Sequence, residues 1–260
     1  ITPINSTHVV GLQPAPLSLA VWDLQTGDTR RIPLRTTLHN EYLPRVGPAT
    51  AVHYNPLADT FLLVRLRDSD KGQGPIPHRC LQPCAAEVLT VYNGEGLLEW
   101  VWNAAAHIPF DPRNVSAPQA SADGRYGPLG RLGLECLFWD YEAQAVYVFA
   151  AVTHTLYKVD QRSGEIIWSL GSAGSLHLEN RHGQSLLSGG AALVLMRARA
   201  LQLVGQDRNR LVLLATMTVA GRATRAAWRV LDLRIDVARG TATQVWNWQS
   251  YEAAASPGAM

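Results

Sequence analysis

The chain has 260 residues, 47% of them hydrophobic and only 17% charged, which fits a globular protein and excludes a disordered one. Its formal net charge of +2 leaves no basic footprint for nucleic acid. No run of about 18 apolar residues occurs, so no transmembrane helix is expected, and no signal peptide is visible.

The chain opens ITPINSTHVV without a Met, which fits a processed or truncated product. Asn5-Ser6-Thr7 is the first of two glycosylation sequons; Asn114-Val115-Ser116 is the second. From Leu19 the stretch LAVWDLQTGDTRRI reads as strand, turn, strand. TFLLVRL at residues 60–66 is a further strand candidate. Residues 68–84, DSDKGQGPIPHRCLQPC, and residues 109–130 read as long loops, which in a compact domain usually protrude or carry function. A second hairpin, LTVYNGEGLLEWVW, starts at Leu89. Cys136 sits in LECLFW, a buried strand by composition, and AVYVFAAV at residues 145–152 is another. The third hairpin, LYKVDQRSGEIIWSL, starts at Leu156. Residues 191–204, AALVLMRARALQLV, are rich in helix formers, yet their setting among strands favours a strand. RLVLLATMTV at residues 210–219 and the fourth hairpin, LRIDVARGTATQVWNW from Leu233, complete the pattern.

The four hairpins share a plan: an apolar strand, an Asp or Asn, a Gly up to four residues later, and a second strand. The Gly supplies a positive-φ turn position and the Asp or Asn side chain caps the turn. The last three copies carry Trp in the second strand, at Trp100 and Trp102, Trp168, and Trp246 and Trp248, as large apolar surface for packing one unit on the next. Copies begin 70, 67 and 77 residues apart, and a long period built from strand–turn–strand units points to a β-propeller. The expected architecture is all-β, with four-stranded antiparallel blades in one domain over residues 1–260; a fragment of a longer chain is the alternative. The first hairpin has few residues before it to supply inner strands. Its edge, around Val21, is therefore expected to be closed by another chain, by the VWNWQSYE segment folding back, or by sequence outside this chain.

Two local features bear on compartment. Cys80 and Cys84 lie close together in a Pro-containing loop, and a local disulfide with Cys136 left free is the simplest pairing in an oxidising environment. Zinc on His78, Cys80 and Cys84 is the alternative, without an evident fourth ligand. With the sequons at Asn5 and Asn114, the pair points to a secreted or cell-surface protein, periplasmic if the source is bacterial. Lysine occurs only at Lys71 and Lys158, and arginine supplies the other basic groups. That bias fits either anion recognition or coding composition. No phosphate-binding glycine loop and no cofactor fingerprint is present.

The stretch VYVFAAVTHTLYKVDQRSGEIIWSLG resembles a strand pair of the arylsulfotransferase-like propeller family. LLEWVWNAAAHIPFD and VLDLRIDVARGTATQVWNW are similar to two further segments of that family, in family order. The resemblance spans about residues 89–248 and implies about six blades, some open to being incomplete in this chain, around a funnel-like site. In active members a histidine takes a sulfuryl group from a phenolic sulfate ester and passes it to a phenol, without a nucleotide donor. Such chemistry needs a neutral imidazole and cationic groups for the transferred oxygens. The matching positions are His53, His107 and His182, with Arg181 beside the last. The family's Arg aligns with Ala151, a middle His falls near Leu134 and Glu135, and Asp partners become Ala106 and Tyr54. Two readings follow from these departures. One is a scaffold or interaction module with a degenerate site, whose partners are other chains of an extracellular assembly. The other is an aryl sulfotransferase acting on phenolic sulfates.

Overall fold

The computed structural model describes residues 2–3, 6–14, 17–35, 42–43, 52–67, 86–108, 132–151, 153–171, 174–184, 193–205, 207–219 and 227–249. The chain is all-β and propeller-like, built from four blade-like sheets. The first holds β1 (Thr2–Pro3), β2 (His8–Pro14), β3 (Leu17–Asp23) and β4 (Thr29–Pro33), adjacent in chain order. In the second, β5 (Tyr42–Leu43) and β6 (Val52–Asn55) both pair with β7 (Thr60–Arg67), followed by β8 (Ala86–Asn93) and β9 (Leu98–Asn103). One helical turn, α1 (Ala104–His107), closes that sheet. The third sheet is β10 (Leu134–Asp140), β11 (Ala145–Ala150), β12 (Thr155–Asp160) and β13 (Ile166–Gly171). A short β14 (His177–Asn180) leads to the fourth sheet: β15 (Leu193–Val204), β16 (Asp207–Val219), β17 (Ala227–Asp236) and β18 (Thr241–Gln249). Pairings within the sheets are antiparallel, except that β14 lies parallel to β18 on its outer side.

The four repeated hairpins are the last two strands of each sheet: β3–β4, β8–β9, β12–β13 and β17–β18. Their turns are alike in detail. Gly27, Gly96, Gly164 and Gly240 all hold φ between +66° and +80°. The preceding acid or amide caps each turn: Asp23 Oδ1 accepts from Gln25 N at 2.8 Å, Asn93 Oδ1 from Leu97 N at 2.9 Å, Asp160 Oδ1 from Arg162 N at 2.7 Å and Asp236 Oδ1 from Arg239 N at 3.0 Å. Local turn chemistry therefore pins the closed end of each hairpin, with a register shift following in the second, third and fourth.

Successive sheets pack face to face through three apolar clusters. Leu19 and Ile32 of the first meet Phe61, Leu63 and Tyr92 of the second. Leu62, Leu89 and Trp102 of the second meet Val146, Val148 and Val159 of the third. Tyr147, Phe149 and Trp168 of the third meet Leu211, Leu213, Leu231 and Leu233 of the fourth. Because side chains alternate across a strand, each middle sheet buries both faces, one toward each neighbour. Its strands are accordingly near-continuous apolar runs; all six residues of β11 are buried. Polar ties reinforce the contacts. Arg30 reaches from β4 to Asp59 at 3.3 Å and to the Gly94 carbonyl at 2.9 Å. Glu87, fully buried on β8, accepts the amides of Leu132 and Leu134 at 2.7 Å each, fixing the entry of β10.

The expectations at 60–66, 134–139, 145–152 and 210–219 are met by β7, β10, β11 and β16. Residues 193–204 form a strand despite their helix formers. Its register shifts at Leu195/Arg197, Ala198/Ala200 and Leu203/Val204 erase the alternation that would have marked it. The expectation for the first hairpin is corrected. Val21 pairs with Val10, so β2 of this same chain covers that edge along Gln13, Leu12 and Gly11 to His8. Gly11 and the nearby prolines break the apolar run, which is why β2 does not read as a strand. The long loops at 68–84 and 109–130 lie outside the described residues, and with them Cys80, Cys84, His78, Asn5 and Asn114.

Candidate functional site

His53 lies on β6 and reaches across to the third sheet, where its Nε2–H donates to the Cys136 carbonyl at 3.2 Å. Burial holds its pKa below the usual imidazole value, partly offset by that hydrogen bond. The ring is thus kept neutral, with Nε2 already committed to a backbone oxygen.

His107 ends α1, directly after β9. Its ring stacks on Trp102, with centroids 5.3 Å apart and planes 16° from parallel. Trp102 in turn donates its indole N–H to the Gly164 carbonyl at 2.8 Å. A Cβ on Gly164 would lie 3.5 Å from Trp102 and 3.8 Å from His107. The turn of the third sheet thus rests on the Trp–His pair of the second. A Cβ there would fit at ordinary contact distance, so glycine is called for by the positive φ of +76° and not by the close approach.

His182 lies in the turn after β14, exposed. Its amide donates to Asn180 Oδ1 at 2.8 Å, and Arg181 Nε donates to its Nε2 at 3.2 Å. These are neighbours in sequence held by an Asx turn.

The structure brings Arg181 and His182 together and leaves the other two histidines elsewhere. His53 meets the first strand of the third sheet, and His107 meets the turn between its third and fourth strands. Strand spacing and rise put those two contact points roughly 15 Å apart. His182 sits beyond β14, at the outer margin of the fourth sheet. A shared reacting atom would need all its groups within about 8 Å of one another. Among the described residues, no group of three or more His, Cys, Asp or Glu is placed to hold a metal ion. Cys136 is a free, buried thiol whose pKa burial raises.

One polar cluster is invisible in the sequence. Between the third and fourth sheets, the Lys158 ammonium sits 5.3 Å from the centre of the buried Tyr147 ring. Arg208 Nε lies 3.3 Å from Asp140 Oδ2, and Arg208 also reaches Glu142 at 3.4 Å. Burial pushes the Tyr147 phenol up, with Asp140 adding to it. Burial also lowers the Lys158 ammonium, with Asp140 opposing and Arg208 assisting. Asp140, Tyr147, Lys158 and Arg208 come from β10, β11, β12 and β16 and Glu142 from the turn after β10, so no spacing could have joined them. The rarity of lysine in the chain is the one signal that singles out Lys158.

No family model matches the chain, and no curated protein does. Among solved structures, a β-1,3-galactosidase of glycoside hydrolase family 43 aligns over 94% of this chain and 56% of its own, at 9% identity and a TM-score of 0.28. The chain thus spans little more than half the length of that enzyme. Hsv2 of Kluyveromyces lactis aligns over 95% of this chain and 83% of its own, with the same identity and TM-score. Likenesses at that score add nothing to the fold that the strand pairing itself establishes.

Proposed function

We propose that this chain is an arylsulfotransferase-like propeller acting as a scaffold or interaction module in an extracellular assembly, with a degenerate transfer site. The observation that carries this reading is the use of the three imidazoles. His53 binds a backbone carbonyl, and His107 is stacked between a core tryptophan and the next sheet's turn. His53 and His107 each do structural work at a sheet junction and His182 sits apart in an exposed turn, and function has to be argued from a site, not from a fold. The substitutions of Ala151, Ala106 and Tyr54 at positions where the family carries Arg or Asp point the same way.

The test is sulfuryl transfer from 4-nitrophenyl sulfate to phenol. No transfer above the uncatalysed background is expected. Turnover that disappears in His182→Ala would overturn the scaffold reading in favour of the enzyme. The extracellular setting is tested separately, by intact mass before and after deglycosylation with thiol counting. Glycan at Asn5 or Asn114 and a Cys80–Cys84 bridge are expected; unmodified asparagines with three free thiols would count against secretion.

A further inference from the structure

The three sheet junctions repeat one geometry, and the two ends of the row carry its unmatched halves. Six residues past the turn glycine, Trp102, Leu170 and Trp246 occupy the same place in the second, third and fourth sheets. Each stands opposite the residue four before the turn Asn or Asp: Leu89, Leu156 and Asp232. Trp102 and Leu170 are 2% and 3% exposed, because the next sheet covers them. Trp246 is 53% exposed and Trp248, two residues on and on the same face, is 50% exposed. Their face is the one turned away from the third sheet, since Leu231, Leu233, Ile235 and Ala242 point toward it. Among the described residues, no apolar cluster joins the fourth sheet to the first.

The opposite end shows the complementary gap. The turn glycines of the second and third sheets abut the sheet before, and that of the fourth abuts the segment leading out of the third sheet. A Cβ would lie 2.0 Å from the Pro33 carbonyl at Gly96, 3.5 Å from Trp102 at Gly164 and 3.5 Å from the Ser175 carbonyl at Gly240. The equivalent Gly27, in the first sheet, has nothing within 4 Å. The outer face of that sheet carries Val9 paired with the half-buried Trp22, together with the exposed Arg31, around the small buried side chains of Ala20 and Ser18.

We propose that a second copy of this chain fills both gaps. The first sheet of one copy packs on the Trp246–Trp248 face of another, with the Gly27 turn set against Trp246 as the Gly164 turn is set against Trp102. This continues an interface that the molecule already makes three times. The face is not wholly apolar. Arg210 bonds Asp232 across it at 2.6 and 2.9 Å, a neutralised pair of the kind tolerated on surfaces that are solvated before association. The contact is head-to-tail and therefore heterologous: two copies close a ring if the rotation allows, and otherwise the chain propagates.

The experiment is sedimentation velocity of the purified chain over about a hundredfold concentration range, because self-association makes the mass concentration-dependent. A dimer or larger assembly is expected. Trp246→Glu and Trp22→Glu should each reduce it to monomer while keeping the far-ultraviolet strand spectrum. Mixing the two variants should restore a dimer, since each retains the end that the other has lost. Where either variant fails to fold, Trp248→Ser and Arg31→Glu, at exposed positions of the same two faces, take its place. A monomer at every concentration overturns the proposal. So does an assembly that the mixed variants fail to restore, which would mean that the two tryptophan faces pair with each other.

Discussion

At the scale of single residues, two of the groups that look most chemical, His53 and His107, are constrained by packing. His53 illustrates this. Its pKa in the folded chain lies below the ordinary value near 6.5, so the unfolded chain takes up the proton first as pH falls. The stability it contributes is full above about pH 6.5 and declines as pH drops through the folded value. Urea unfolding midpoints should therefore fall between about pH 7.5 and 5.5. His53→Gln, whose amide can still donate to the Cys136 carbonyl, should flatten that fall. A profile unchanged by the substitution would place the pH sensitivity elsewhere. Glu87 is the second such residue. Its carboxylate is the acceptor for two buried amides, and Glu87→Ala would leave both without it, at a cost of about 2–4 kcal/mol. A denaturation midpoint shifted by less than a fifth of that would show that water replaces the carboxylate.

At the scale of elements, the hairpin turn has two tasks, and glycine separates them. Gly27 and Gly96 share a positive φ, but only Gly96 touches the preceding sheet. Gly27→Ala should cost only the left-handed conformation, about 1–2 kcal/mol. Gly96→Ala should cost clearly more, because its Cβ would collide with the Pro33 carbonyl, which is backbone and cannot swing aside. Equal losses in chemical denaturation would mean that the junction between the first two sheets relaxes without penalty. The same logic explains why the tryptophans recur. Trp102 fills the junction and its N–H holds the next turn, so apolar area and one directed hydrogen bond align two sheets.

At the scale of the molecule, among the described residues the sheets share cores with their neighbours in the row, so stability is a sum over adjacent units, as in repeat proteins. The second and third sheets are buried on both faces, while the fourth presents Trp246 and Trp248 to solvent. Hydrogen exchange should follow that order: amides of β8 and β11 are the slowest, and those of β18 distinctly faster. Uniform protection across all four sheets at a concentration where the chain is monomeric would contradict it.

What the sequence by itself determined is local. The Asp or Asn, the Gly and the alternating strands set each hairpin, because turn chemistry and side-chain period act within a dozen residues. Four hairpins, their positive-φ glycines and the all-β class were legible for that reason. The strand at residues 193–204 was legible only from its setting, since its bulges hide the period, and β2 was masked by glycine and proline. What only the tertiary structure decided is which residues meet across sheets. His107 rests against Gly164, His53 against Cys136, and Lys158 lies near Asp140 and Arg208 through contacts between strands far apart in the chain. No spacing rule encodes those meetings; they follow from the order in which the sheets stack and from which face each strand turns to its neighbour.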